Sequence, residues 1–350
     1  MKIFLRPILG RKTKTPRQAE NWKNILIVRQ HNQFGDMLAS VPLFRAIKEK
    51  FPECKITLIA GPDNSYAVEK NIFIDRLVVF EKKRIFHPLY FFNFTKITRE
   101  NYDAVIVPST VSLSATSHLI AAMAKSEGKI APASLNGNHN PLSFLFDYGI
   151  DLNWNENPDR HVSDFIQDII RPFGIETNNL RSQITFDEED KKTALEFIDE
   201  YGLNKAERMV GLHVGAGKPL NRWSLDNFKE VIAYLRNEFE AKIFLTGSDA
   251  DAHVIENLFE KLGEKLPVFM NRTIPQLAAL IDESDLFITN DTGVLHVAAA
   301  TNVPQISIFG PTNPKNWGAV GEEKINLKNN DDINSVTVNN VITNIKTLLQ

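Results

Sequence analysis

Residues 288–312 read ITNDTGVLHVAAATNVPQISIFGPT. An apolar run ends in Asn-Asp-Thr-Gly, a short Ala-rich stretch of helical character follows, and a second apolar run ends in Phe-Gly-Pro-Thr. Strand, polar turn, helix and strand make the repeating piece of a parallel sheet, and open parallel sheets bind ligands beyond the carboxyl ends of their strands. At such a turn Asp291 or Thr292 would cap the helix, and its unpaired N–H groups would favour an anion, phosphate above all. Gly293 would let a ligand approach the backbone closely. An ordinary cap with no ligand explains the turn as well. His296 falls one helical turn further on, where it either faces the same anion or packs locally.

The same alternation extends upstream. Apolar runs at 209–214, 242–247, 267–270, 285–289 and 305–310 read as strands, with helices near 224–238, 249–262, 274–283 and 292–300. An earlier series reads ILIVR (25–29), KITLIA (55–60), DRLVVF (75–80) and DAVIVP (103–108), with helix-like stretches such as DMLASVPLFRAIKEKF between them. Continuous β-branched runs separated by helices indicate parallel sheets covered on both faces. The regularity fades after about residue 135. Residues 161–174 read as a helix stopped by Pro172 and Gly174, and 186–202 as an acid-capped helix ended by Gly202.

The 350 residues exceed one ordinary hydrophobic core, which fits two α/β domains in series. The sequence divides into a basic leader (1–23), a first Rossmann-like domain (24–174), a linker (175–207), a second Rossmann-like domain (208–330) and a C-terminal helix (331–350). Apolar residues at 43% and charged residues at 24% are those of a soluble globular chain. A formal net charge of -3 argues against a dedicated nucleic-acid binder. The one cysteine, Cys54, excludes an intramolecular disulfide framework and a cysteine zinc site, and suits a reducing, cytoplasmic compartment. No stretch approaches the roughly 18 to 20 uncharged apolar residues of a membrane span. The leader carries seven Lys/Arg against one acid, Glu20, interleaved with apolar residues. It reads either as a segment without fixed structure or as a peripheral contact with the cytoplasmic face of the inner membrane.

Three further loops carry chemistry. HVGAGKPLNRWSLDNF (213–228) follows a strand with Gly215, Ala216 and Gly217, whose amides stay accessible, and with two cations, Lys218 and Arg222. Small residues plus cations after a strand suit a diphosphate, although the spacing is not that of a Walker A loop. Trp223 reads as a packing residue that fixes Arg222. LTGSDADAH (245–253) places Asp249 and Asp251 at a helix start. Asp-x-Asp invites a metal, but an acid at this sheet edge holds ribose hydroxyls in dinucleotide folds, and ribose is the preferred reading, with no metal and no cofactor.

In the first domain, QHNQFGDMLASVP (30–42) contains one glycine, Gly35, too few for the G-x-G-x-x-G fingerprint of nicotinamide cofactors. Asp36 stands at a helix start, as a general base towards a hydroxyl or as a helix cap; His31 is the alternative base. Residues 81–100, EKKRIFHPLYFFNFTKITRE, mix aromatic and basic types. They fit an ordinary amphipathic helix, an anionic lipid or a single-stranded nucleic acid.

These loops, in this order, resemble the family 9 glycosyltransferases, the bacterial ADP-heptose:lipopolysaccharide heptosyltransferase family. The likeness is carried by ILIVRQHNQFGDMLASVPLFRAIKEKFP, GLHVGAGKPLNRWSLDNF, LTGSDADA and ITNDTGVLHVAAATNVPQISIFGPTNPKNW, within residues 24–320. The resemblance implies a GT-B architecture: two Rossmann-like parallel-sheet domains facing a central cleft, the nucleotide-sugar donor on the C-terminal one and the acceptor mainly on the N-terminal one. It implies inverting, metal-independent transfer of a heptose or related sugar from an ADP-type donor such as ADP-heptose to a lipid-linked or core-oligosaccharide acceptor. Asp36 matches the position of the catalytic base. Arg222, where lysine is common, matches the phosphate-contacting cation before Trp, and Asp251 matches the ribose-holding acid in a shortened form. Asp291, Thr292, Gly293 and His296 match the donor-facing motif, with Gly215, Ala216 and Lys218 in the neighbouring phosphate loop. Two other readings use the same fold: a nucleotide-sugar epimerase, or a non-catalytic nucleotide-sugar-binding protein at the membrane.

Overall fold

The computed structural model describes residues 10–11, 13–30, 34–203 and 208–350. The chain forms two compact units, Met1–Leu180 and Arg181–Gln350.

In the first unit the elements run β1 (Asn24–Arg29), α1 (Phe34–Leu38), α2 (Val41–Lys50), β2 (Lys55–Ala60), β3 (Arg76–Val79), α3 (Pro88–Thr98), β4 (Tyr102–Ile106), α4 (Ala115–Met123), β5 (Ser126–Leu135), β6 (Asn138–His139) and β7 (Tyr148–Leu152). The strand order is β3-β2-β1-β4-β5, all parallel, with β7 parallel and the two-residue β6 antiparallel to β5. Ile25 to Val28 are all fully buried, which is why β1 reads as an unbroken apolar run rather than an alternating one. The sequence shows no strand pattern over β5 or β7. Gly128 and Pro132 interrupt β5, and the pairing with β7 shifts register between Pro132 and Ser134, where proline has no N–H to give.

The segment 161–174 is also more broken than a single helix. A turn of α-helix at Val162–Phe165 passes into 3-10 turns, Ile166–Ile169 and Arg171–Phe173, before Gly174 at φ 68. Pro172 cannot donate into an α-helical ladder and the glycine closes the end in the left-handed region. In the leader, Arg11 N–H donates to Phe144 O at 3.0 Å, Lys14 N–H to Asp147 O at 2.7 Å and Ala19 N–H to Phe173 O at 3.0 Å. Arg11 and Lys14 both pair with the buried Asp147 carboxylate. Residues 1–9 lie outside the described residues.

The second unit runs α5 (Glu188–Glu200), β8 (Met209–His213), α6 (Leu225–Phe239), β9 (Lys242–Gly247), α7 (Ala252–Leu262), β10 (Val268–Met270), α8 (Ile274–Asp282), β11 (Leu286–Asn290), α9 (Gly293–Ala299), β12 (Gln305–Ile308), β13 (Lys324–Leu327) and α10 (Val338–Leu349). Its sheet is wholly parallel in the order β10-β9-β8-β11-β12-β13. Asp187 caps α5, accepting from Glu189 N–H and Asp190 N–H, and α5 packs against α8 within this unit. One face of the sheet packs Val210, Leu212, Ile288 and Ile306 against Phe228, Leu258 and Ile345 of the helices, and the other turns Phe244 and Phe269 towards Phe197 of α5. Among the described residues no helix is long and apolar enough to cross a membrane.

Both sheets reverse strand order between two central strands, β1 and β4 in the first and β8 and β11 in the second. The loops leaving those strands diverge to opposite sides of the sheet and leave a crevice at their carboxyl ends. Asp36 follows β1, Gly215 to Arg222 follow β8 and Asp291 to His296 follow β11, while Asp251 follows the neighbouring β9.

Candidate active site

In the second unit the loop after β8 is tied to the end of β11 by asparagines. Asn290, fully buried, donates through Nδ2 to Val214 O at 2.9 Å and Gly215 O at 3.3 Å, and its Oδ1 accepts from Trp223 N–H at 3.1 Å. Asn221 Nδ2 donates to Asp291 O at 3.1 Å and Asp291 Oδ2 at 2.8 Å. The switch point is therefore one knitted structure holding Gly215, Ala216, Arg222 and Asp291 together. Asn221 and Asn290 are not among the sequence-predicted site residues. Their only advance signal is their position beside the glycine turns.

Arg222 Nε donates to Ala216 O at 2.7 Å. Among the described residues nothing engages either Nη, so the guanidinium is aimed by its loop while its donor fork stays available. Trp223 supplies the anchor: it is 1% exposed, packs edge-on to Phe228 at 5.1 Å and donates through Nε1 to Val336 O at 2.8 Å. Lys218 is exposed on the same loop.

Asp251 reaches this loop from the end of β9. Its Oδ2 accepts from Ser248 N–H and Ser248 Oγ, both at 2.9 Å, and its Oδ1 lies where a side chain at position 215 would begin: a Cβ built on Gly215 would stand 2.0 Å from it. The glycine is required by close approach, not by its backbone angle. Gly215→Ala is expected to break the Ser248–Asp251 bonds or displace the loop, lowering stability by about 1–3 kcal/mol. A thermal melt and a nucleotide titration of that variant check it. Asp249 is engaged separately, its Oδ1 accepting from Asn271 Nδ2 at 2.7 Å.

Thr292 takes the cap position of α9 in extended conformation (φ -152), but its side chain makes no capping bond. Asp291 does not cap either, since its carboxylate accepts from Asn221. Burial pushes the Asp291 carboxyl up from its ordinary range, against the pull of Thr312, Lys218 and Lys328. Among the described residues the cap residue of α9 thus gives its first amides no side-chain partner, and His296 sits half-buried on the same short helix. From behind, the buried Lys324 holds the far end of α9, its Nζ donating to Ala298 O, Thr301 O and Val303 O at 2.6–3.1 Å.

The first unit has a corresponding construction at its own switch point. Arg29, the last residue of β1, is fully buried. It donates through Nη1 to Pro108 O at 3.2 Å, and through Nη2 to Asp36 O at 3.0 Å and Thr110 Oγ1 at 3.3 Å, joining the loops that follow β1 and β4. Asp36 lies in α1, 1% exposed, and does not cap it: among the described residues no hydrogen bond of good geometry reaches either carboxylate oxygen. Burial raises its pKa, while the Arg29 charge and the nearby Thr110 hydroxyl favour ionisation. A buried, unbonded carboxylate held beside a buried cation is costly to a fold and suits an acid–base role. Arg29 and Thr110 are functional candidates that the sequence reading lacks. His31 lies outside the described residues. A cavity of about 380 Å³ also exists in this unit, lined by Trp22, Asp103, Gly128 and Tyr148 near the amino ends of the strands, and it contains none of the predicted site residues.

The profile described as glycosyltransferase family 9 (heptosyltransferase) matches residues 93–343. Lipopolysaccharide heptosyltransferase 3 of Escherichia coli is 24% identical over 292 residues, covering 81% of this chain and 82% of the relative. Among solved structures, the family 9 glycosyl transferase from Veillonella parvula DSM 2008 superposes with a TM-score of 0.80 at 22% identity, covering 95% of this chain and 99% of that one. The E. coli heptosyltransferase WaaC with ADP gives 0.72 at 18% identity, covering 93% and 99%. The two parallel-dominated sheets are those of the GT-B-type α/β fold, and the chain belongs to glycosyltransferase family 9, the heptosyltransferase family.

Proposed function

We propose that this enzyme moves a heptose, or a closely related sugar, from an ADP-type donor to a lipopolysaccharide-core-like acceptor, with inversion and without a metal. The observation that carries the reading is the buried Asp36 carboxylate, free of any capping bond and set beside Arg29. In this mechanism Asp36 takes the proton from an acceptor hydroxyl as that oxygen forms its bond to the anomeric carbon, and the bond from that carbon to the diphosphate breaks on the opposite face. The leaving diphosphate gathers negative charge. Arg222 offers its Nη fork to it, with Lys218 and the amides at Thr292 and Gly293 as further donors, so fixed cations take the part a metal plays elsewhere. In this scheme Asp251, held against Gly215, accepts from the donor ribose.

The relative's name supports the sugar and the acceptor class, and the ADP of the solved neighbour supports the nucleotide. Incubating the protein with ADP-, UDP- and GDP-linked sugars and truncated core lipids, with products identified by mass spectrometry, tests both. The expected product is an acceptor heavier by one heptose from an ADP donor. Product from donor alone would favour an epimerase, and nucleotide binding without turnover on any acceptor would leave a binding protein.

Arg222→Ala is expected to weaken ADP binding roughly 10- to 100-fold, the worth of hydrogen bonds to a charged group. Calorimetry measures it directly. Unchanged affinity would remove Arg222 from the phosphate role.

A further inference from the structure

Helix α3 turns an unusual face to water. Its inner face is ordinary: Phe94 is buried and packs on Phe80 at 4.7 Å, with Tyr90 stacked beside it. Its outer stripe, at spacings of three and four residues, reads Leu89, Phe92, Lys96 and Arg99, apolar at the amino-terminal half and basic at the other. Leu89 is 70% and Phe92 66% exposed, and Phe86, just before the helix, is 91% exposed. The adjacent α4, which packs beside α3, exposes Leu119 and Met123 as well. Single exposed apolar residues need no explanation, but five large ones on two packed helices and the segment just before them mark a contact surface.

The charges around it are one-sided. Lys82 and Lys83 precede the patch, and Lys96 and Arg99 follow it; among the described residues none of the four pairs with an acid. The two acids of this segment are both neutralised, Glu81 by Arg84 at 2.9 Å and Glu100 by Arg76 at 2.9 Å. This stands against a whole chain whose net charge is -3. Large apolar side chains flanked by uncompensated cations are complementary to the acyl boundary and anionic headgroups of a bilayer. A single-stranded nucleic acid would also meet cations and rings, but Leu89, Leu119 and Met123 offer it no surface to stack on.

We infer that the outer face of α3, with the segment before it, is a docking surface for an anionic lipid bilayer. Phe86, Leu89 and Phe92 enter the headgroup boundary, and Lys82, Lys83, Lys96 and Arg99 meet anionic headgroups. The surface lies outside the candidate site residues, and the inference does not depend on the donor or acceptor proposed above.

Sedimentation of the full chain with vesicles tests it without any activity readout. The wild-type protein is expected to bind phosphatidylcholine vesicles containing phosphatidylglycerol, to bind phosphatidylcholine alone weakly, and to release as salt is raised. Phe86→Ser/Leu89→Ser/Phe92→Ser is expected to weaken that binding by about ten-fold or more, and Lys82→Glu/Lys83→Glu to weaken it independently. Because these side chains are exposed, melting temperatures should stay at the wild-type value. Failure of the wild-type chain to bind the anionic vesicles would overturn the inference, as would wild-type binding by both variants. So would self-association, or tighter binding to a single-stranded oligonucleotide than to vesicles, if the same substitutions abolished it.

Discussion

Asp36→Asn is expected to lower sugar transfer on the order of 10²-fold or more while leaving ADP binding nearly intact. Asparagine matches the shape of the carboxylate but accepts no proton, so the variant removes the proposed base without opening a cavity. Nucleotide binding should be spared because the proposed donor loops belong to the other unit. The pH dependence follows from the environment of Asp36. Burial holds its pKa above the ordinary carboxylate range, and the base works only when ionised. Transfer should therefore rise with pH through that elevated value and fall as the carboxylate is protonated on acidification. The variant should lose this limb and keep only a low, flat residual rate. Steady-state kinetics across pH on protein with a wild-type melting profile is the measurement, and near-normal turnover would remove Asp36 from the role.

The features legible in the sequence are those whose cause is local. Strands buried on both faces write themselves as unbroken β-branched runs, so β1, β2, β8, β9 and β11 stand close to where the pattern puts them. Strands β5 and β7 escape because Gly128, Pro132, Gly149 and Asp151 dilute the pattern, and β13 because Lys324 and Asn326 leave no continuous apolar run in it. The site divides in the same way. Glycine turns after strands are local, and they lead to Gly215, Asp251 and Gly293. Which residues join those turns is not local. Asn290 reaches a carbonyl 76 positions away, and Arg29 bonds Pro108 and Thr110, 79 and 81 positions away. An arginine closing an apolar strand reads as a solvated end charge, and only the sheet order, which sets β1 beside β4, reveals that it is buried.

Arg29→Met should expose what that burial does. With the guanidinium gone, Asp36 keeps its desolvation and loses its nearest cation, so its pKa must move further up. At neutral pH a smaller fraction of the enzyme would carry the ionised base. A loss in kcat/KM of roughly 10- to 100-fold is expected, the range of one charge-assisted interaction, with the acid limb displaced to higher pH and part of the rate recovered there. Arg29 acts through Asp36 and touches no reacting atom in this scheme, which makes it a positioning residue. A merely structural role predicts something else: a uniform loss with an unmoved limb, since Arg29 also ties Asp36 O and Pro108 O. Arg29→Lys separates the two cases. It restores the charge without the fork, so it should return the limb towards its wild-type position even if the loops it joins are less firmly held. An unshifted limb in Arg29→Met, in protein that melts cooperatively, would mean that the cation serves the fold alone and that the Asp36 pKa is set by burial.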